Sequence, residues 1–173
     1  MIMTGSRKIE HKIHTQNSGK VSQEGIDKAV ISKAVLTTLQ SEAVDMTCVV
    51  NILITDDEEI KKYNRDYRYI DKATDVLSFP MQIFTHAGWT GIDKPEPDED
   101  TGELPLGDIV ISSETIKRQA EEYRNTQENE TAYMIVHSTL HLLGYDHDTD
   151  NNERVMIYRK NSIMKEMGYT SDQ

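Results

Sequence analysis

Three of the chain's six histidines fall within the eleven residues His137-Ser138-Thr139-Leu140-His141-Leu142-Leu143-Gly144-Tyr145-Asp146-His147. Imidazole can shuttle protons, and it is the commonest side-chain donor to a transition metal. The spacing H-x-x-x-H-x-x-G-x-x-H points to the second use. Residues four apart on an α-helix lie one above the other, so His137 and His141 share a face. Gly144 can adopt the positive φ that ends a helix and turns the chain back. That turn returns His147 towards the same point. Two helical imidazoles and one returning imidazole predict a three-nitrogen site with an open fourth position, the way a catalytic ion, most often zinc, is held. We expect one zinc ion per chain at His137, His141 and His147, although nickel, cobalt or iron would accept the same ligands. A closed structural site would usually add a cysteine. The only cysteine, Cys48, sits in the β-branched run Thr47–Ile54, which predicts a buried, inert thiol.

The spacing is similar to the long zinc-peptidase pattern H-E-x-x-H-x-x-G-x-x-H, whose Glu is the general base. Ser138 stands at that position and cannot act as a base at neutral pH. The ligand set therefore fits a metallohydrolase that lacks the peptidase base. An ion on three neutral imidazoles keeps its double positive charge and lowers the pKa of a bound water to about 7. A separate base is then less needed for attack on phosphorus.

With its neighbours, the stretch resembles the signature H-G-x-L-H-L-x-G-Y-D-H of the YbeY family, the bacterial rRNA-maturation endoribonucleases. Every fixed position is met but one, where Ser138 stands for Gly. Two further segments carry the resemblance. One is Tyr63-Asn64-Arg65-Asp66-Tyr67-Arg68 with Asp71-Lys72-Ala73-Thr74-Asp75-Val76-Leu77-Ser78-Phe79-Pro80, where the family usually has Pro in place of Ala73. The other is Leu106-Gly107-Asp108-Ile109-Val110-Ile111-Ser112. The likeness runs from about Val49 onward. It implies a metal-dependent endoribonuclease that cuts single-stranded RNA in 16S rRNA 3′-end maturation and ribosome quality control. It also implies the small ribosomal subunit and the GTPase Era as partners. Arg68 occupies the position of the family's functionally important arginine. A guanidinium suits the negative charge that gathers on phosphate oxygens in the transition state. On the residues alone, Arg68 could equally pair with Asp71 or Asp75 at a turn. Attack by water and attack by the RNA's own 2′-hydroxyl both stay open. Two other readings stand beside this one. A zinc metallopeptidase fits the spacing but lacks the Glu, and a ribosome-assembly factor with a structural metal fits the acidic charge.

A chain of 173 residues predicts a single domain, 1–173, with room for a real core. No apolar run reaches about 18 residues, so no membrane span is expected. Met1 to Arg7 lacks the apolar centre of a secretory signal. With a single cysteine, a cytoplasmic location is the default expectation. The net charge of −11 opposes a polyanionic partner. Much of the acid is local, however: Asp93, Glu96, Asp98, Glu99, Asp100 and Glu103 face only Lys94 across that stretch. Basic residues gather at Lys61, Lys62, Arg65, Arg68 and Lys72, so a bipolar surface is expected. Residues 85–105 are long for a connection and predict an acidic mobile loop or lid.

Those side chains need a frame. Lys8 to His14 predicts an edge strand that keeps His11 and His14 at the surface, and Val21 to Leu39 a helix capped by Ser22. Thr47 to Ile54 is the strongest strand, followed by a helix that Thr55 or Asp56 caps and that ends near Tyr67. Thr74 to Phe79 and Leu106 to Ser112 predict two more strands, and Ser113 caps a helix to about Arg124. Asn129 to Leu143 is the metal helix, with Tyr133, Val136, Leu140 and Leu143 inward. Asp150 with Glu153 has capping-box spacing before a last helix whose apolar face is Met156, Ile157, Ile163, Met164 and Met167. The order predicts an α+β fold: a small mixed β-sheet packed by helices, zinc-hydrolase-like, with the metal site on a helix of the C-terminal half and the turn after it.

Overall fold

The computed structural model describes residues 8–18, 21 and 26–169. The elements follow the expected order: β1 (Lys12–Asn17), α1 (Lys28–Ser41), β2 (Cys48–Thr55), α2 (Asp57–Arg68), β3 (Val76–Pro80), β4 (Leu104–Ser112), α3 (Ser113–Glu122), α4 (Gln127–Leu142) and α5 (Asp150–Glu166). One mixed sheet has the strand order β1-β2-β4-β3, with β1, β2 and β4 parallel and β3 antiparallel to β4. The α+β architecture read from the sequence is the one observed.

Alternation along the strands separates two faces. Val50, Ile52 and Ile54 of β2, with Ile109 and Ile111 of β4, join α1, α4 and α5 in the main core. On the other face, Leu77 and Val110 meet Ile60 of α2 in a smaller cluster. Helix α2 touches β3 and β4, while Asn51 on β2 and His14 and Gln16 on β1 stay exposed. Helix α4 runs through the centre, against α1, α3, α5, β3 and β4. It is consequently buried well beyond one stripe: Val136, Leu140 and Leu143 are inside as expected, and so are Ala132, Ile135, Leu142, Thr131 and Thr139. The two threonine hydroxyls donate back to the Gln127 and Ile135 carbonyls at 2.8 and 2.7 Å, which satisfies them without a partner helix.

Several local expectations need correction. Strand β1 lies later than Lys8–His14, because its length is set by pairing Lys12–Asn17 with Val49–Ile54. Helix α1 starts at Lys28, where the Asp27 carboxylate accepts from the Ala29 amide; Ser22 lies outside the described residues. The cap of α3 is Ser112, one residue before Ser113, whose own hydroxyl donates to the Thr55 carbonyl instead. Thr149, not Asp150, caps α5 by accepting from the Asn152 amide, so Asp150 and Glu153 form no capping box. Ile157 is 44% exposed, on the outer side of a helix whose inner side is Met156, Lys160, Ile163 and Met164.

Between β3 and β4 the acidic segment is tied by its own side chains. Asp93 accepts from the Thr85 amide and hydroxyl, and Asp98 from the Thr101 amide and hydroxyl. The Trp89 indole donates to Asp45 at 2.8 Å, and the Gly88 amide to the Leu143 carbonyl at 2.9 Å. Among the described residues no helix is long and apolar enough to cross a membrane.

Candidate metal centre

Helix α4 begins where Thr126 accepts from the Asn129 amide, earlier than the predicted Asn129 start. Fixed against five other elements, it carries His137 and His141 on one side. Its end is a Schellman turn: the Gly144 amide donates to the His141 carbonyl at 3.0 Å and the Tyr145 amide to the Leu140 carbonyl at 3.1 Å. Gly144 has φ +87°, and a Cβ there would lie 2.6 Å from the Phe84 Cβ, so only glycine fits. The chain then doubles back, as the sequence predicts, and brings His147 to the other two.

One ligand nitrogen from each of His137, His141 and His147 lies within 4.8 Å of the others. The His137 and His141 Nε2 atoms are 3.0 Å apart. Tetrahedral ligation at about 2.0–2.1 Å separates nitrogens by about 3.3 Å, so the cluster fits one small divalent ion. The Nδ1 atom of His141 lies 2.8 Å from the Tyr145 carbonyl oxygen. A carbonyl only accepts, so Nδ1 carries the hydrogen and the Nε2 lone pair faces its neighbours. The nearby carboxylates of Asp146 and Asp148 do not take this role. Asp146 accepts from the His147 amide at 2.7 Å, and Asp148 from the Asn152 side chain at 2.7 Å. The Nδ1 of His137 is buried with no hydrogen-bond partner among the described residues.

Electrostatics keep the buried imidazoles neutral. Burial pushes His137 down to about 3, helped by the neighbouring His141, Lys160 and His147. Burial also lowers His141, partly offset by its bond to the Tyr145 carbonyl. Neutral imidazole is the form that donates a lone pair.

The turn itself is anchored from behind. The Tyr145 hydroxyl donates to Glu42 Oε2 at 2.8 Å, and Arg159 donates to the other Glu42 oxygen at 2.7 Å through Nε. Arg159 also reaches the Ser41 carbonyl and hydroxyl at 3.1 Å. This trio, with Glu42 and Tyr145 buried and Arg159 half-buried, links α1, α5 and the histidine turn. Its members are more than a hundred residues apart in places, so spacing could not reveal it.

Arg68, at the end of α2, reaches over β3 and donates to the Ser78 carbonyl at 3.0 Å. It lines a cavity of about 390 Å³ together with the three histidines, Asp75, Ser78 and Asp146. No ion pair joins Arg68 to Asp71 or Asp75 among the described residues; Asp71 pairs with Lys61, and Asp75 accepts from Gln119 and the Val76 amide. Asp75 is therefore a wall of the cavity that the sequence reading treated only as a turn residue. Its place beside Arg68 in one motif was the available signal. Ser138 is fully buried on α4 and does not line the cavity. His86 stands outside the cluster, against Thr85. Cys48 is fully buried, its thiol pushed up to about 12 by burial, as expected of an inert core residue.

The sequence model described as Endoribonuclease YbeY matches residues 12–168. The chain belongs to the YbeY family. Among curated YbeY relatives, the Endoribonuclease YbeY of Caldanaerobacter subterraneus subsp. tengcongensis is 44% identical over 149 residues, covering 86% of this chain and 92% of the relative. That of Clostridium kluyveri is 39% identical over 142 residues, covering 79% of this chain and 86% of the relative. The fold is also similar to the solution structure of TM1509 from Thermotoga maritima, with TM-score 0.53 at 22% identity over 90% of this chain and 91% of that one. Family membership agrees with the resemblance read from the three motifs, and it reaches further back, through β1.

Proposed function

We propose that this YbeY protein is a zinc-dependent endoribonuclease, a single catalytic domain that cuts single-stranded RNA and acts in 16S rRNA 3′-end maturation and ribosome quality control. The observation that carries the reading is one cavity holding three clustered imidazoles beside a guanidinium that has no carboxylate partner among the described residues, in a chain whose relatives are named endoribonucleases. A divalent ion on His137, His141 and His147 supplies a Lewis acid and a nucleophile available at neutral pH. The chain supplies the rest. Tyr145 holds the His141 tautomer through its carbonyl. Arg68, free of a carboxylate partner among the described residues, takes a non-bridging phosphate oxygen and stabilises the charge that develops there. Attack by water and attack by a 2′-hydroxyl both fit this arrangement. The same reading places the protein in the cytoplasm with the small ribosomal subunit, and with the GTPase Era, as partners.

No observation favours the peptidase. The position that would hold its Glu is Ser138, buried away from the cavity. The test is cleavage of a single-stranded RNA spanning a 16S rRNA 3′ end by four samples: parent, His141→Ala, chelated parent, and chelated parent with zinc restored. We expect a loss of at least about a thousandfold in the two metal-deficient samples and recovery with zinc, with circular dichroism unchanged. Equal activity in all four would refute the metal-dependent reading. Inactivity of every folded sample would favour the assembly-factor reading.

A further inference from the structure

Two of the three motifs contain residues that the metal centre does not use. Tyr63 and Tyr67 of α2 and Asp108 of β4 face away from it, on the opposite side of the sheet. There they line a groove of about 450 Å³ with Gln16, Asn51 and Phe79. We propose that this groove is a subsite for an unpaired nucleobase of the RNA strand held at the metal centre. The inference rests on the nuclease reading for the identity of the strand, and on the groove's own chemistry for the base.

One wall is aromatic. Tyr63 and Tyr67 have ring centroids 6.3 Å apart at 18°, and Tyr67 meets Phe79 edge-on at 5.2 Å. Tyr67 is nevertheless 65% exposed, so these contacts leave most of its surface in water. An exposed ring fixed by its neighbours is a stacking platform that any base can use.

The floor offers acceptors from Asp108 and Asn51 beside groups of either polarity. Asn51 Nδ2 donates to Asp108 Oδ1 at 2.9 Å, which leaves Asp108 Oδ2 and Asn51 Oδ1 available. The Gln16 side chain has no protein partner among the described residues and can donate or accept. Carboxylate and carbonyl oxygens read the exocyclic amino group of a base. They also repel phosphate, so the base and not the backbone enters. Uracil, which has no exocyclic amino group and only a single N3–H donor between two carbonyl oxygens, is the poorest fit.

The groove adjoins the metal cavity across one strand. Edge strand β3 places Ser78 and Pro80 on the metal cavity and Phe79 in the groove. On α2, Tyr67 of the groove directly precedes Arg68 of the cavity. An RNA strand with a phosphate against Arg68 therefore crosses the edge of the sheet beside the groove, where an adjacent unstacked base can turn in. This also gives the acidic chain a way to hold RNA that does not depend on net charge.

The test uses the full chain, treated with chelator, and fluorescent oligoribonucleotides of roughly eight residues: oligo(A), oligo(C) and oligo(U). Fluorescence anisotropy should show oligo(A) and oligo(C) binding more tightly than oligo(U). Tyr67→Ala should weaken oligo(A) and oligo(C) about tenfold, and Asp108→Asn should narrow the gap between oligo(C) and oligo(U). Parallel cleavage assays with metal-loaded protein separate the two claims. A raised KM with unchanged kcat in Tyr67→Ala supports the groove. Cleavage by the parent with Tyr67→Ala matching it in affinity and KM would overturn the groove and leave the nuclease reading standing. Tyr67-dependent binding by a parent that cuts no RNA would overturn the nuclease reading and leave the groove. Tyr67 is mostly exposed, so its truncation is readable even where Asp108→Asn fails to fold.

Discussion

The metal cavity has two halves of different construction. His137 and His141 stand on the most deeply buried helix of the protein, and Tyr145 is tied by Glu42 and Arg159 to α1 and α5. His147 and Arg68 stand on its surface. The His147 side chain is 57% exposed on a turn, and Arg68 is held by its bond to the Ser78 carbonyl. The contrast separates two tasks. The core half fixes where an ion sits with the rigidity of a packed interior. The surface half meets a large, flexible substrate and keeps its charge available until that substrate arrives. It follows that damage to the surface half should change chemistry and leave stability alone, while damage to the core half should change both.

The largest effect that would separate the halves is on Arg68. Arg68→Ala should lower kcat for single-stranded RNA about 10²–10³-fold, while zinc content stays at one per chain. Unfolding free energy should stay within about 0.5 kcal/mol of the parent. Arg68→Lys should recover only part of the rate, since an ammonium keeps the charge and loses the bidentate fork. A rise in KM alone would mean that Arg68 binds ground state and transition state equally. A marked fall in stability would make it a clasp on β3.

The core half should respond to acid. In chelated protein, His137 is pushed down to about 3, whereas an unfolded histidine takes a proton near 6.5. Above about 6.5 both states are neutral and the residue contributes no pH dependence. As pH falls from 6.5 towards 3, the unfolded chain binds the proton and the folded one does not, so stability drops. The loss should reach about 2–4 kcal/mol across that window, with His141 shifted in the same direction. Urea midpoints at neutral and acid pH would measure it, with His137→Gln as the reference lacking that titration. An equal acid loss in the two proteins would place the sensitivity elsewhere.

How much of this was legible in the sequence follows from the same division. The three histidines lie on one helix and one turn, so local geometry and Gly144 were enough to gather them. The order of elements was legible because each run keeps one period between polar breaks. Ends were less so. Asp27, Ser112, Thr126 and Thr149 each cap a helix, but at α3 and α5 the neighbouring Ser113 and Asp150 compete and only the packed chain decides. The placement of Arg68 over Ser78, of Asp75 in the cavity wall, and of Glu42 behind Tyr145 depends on sheet order and helix packing. No spacing encodes those. The motifs around Tyr63 and Asp108 were visible as resemblance, yet their meeting across α2, β2 and β4 was not.

The smallest effect tests the tie between the halves. Tyr145→Phe removes a hydroxyl that donates to a Glu42 carboxylate still bound by Arg159. The carboxylate keeps its charged partner, so the cost should sit near about 1 kcal/mol, a fall in melting temperature of about 2–4 °C. The Tyr145 carbonyl is untouched, so the His141 tautomer holds and zinc affinity should weaken by at most about tenfold. Metal titration and thermal unfolding of the same preparation read both numbers. If zinc were lost outright, the histidine turn would owe its position to that one hydroxyl and the core half would not be self-standing. A small thermal shift with zinc retained means that the Schellman turn and the burial of α4 hold the ligands in place by themselves.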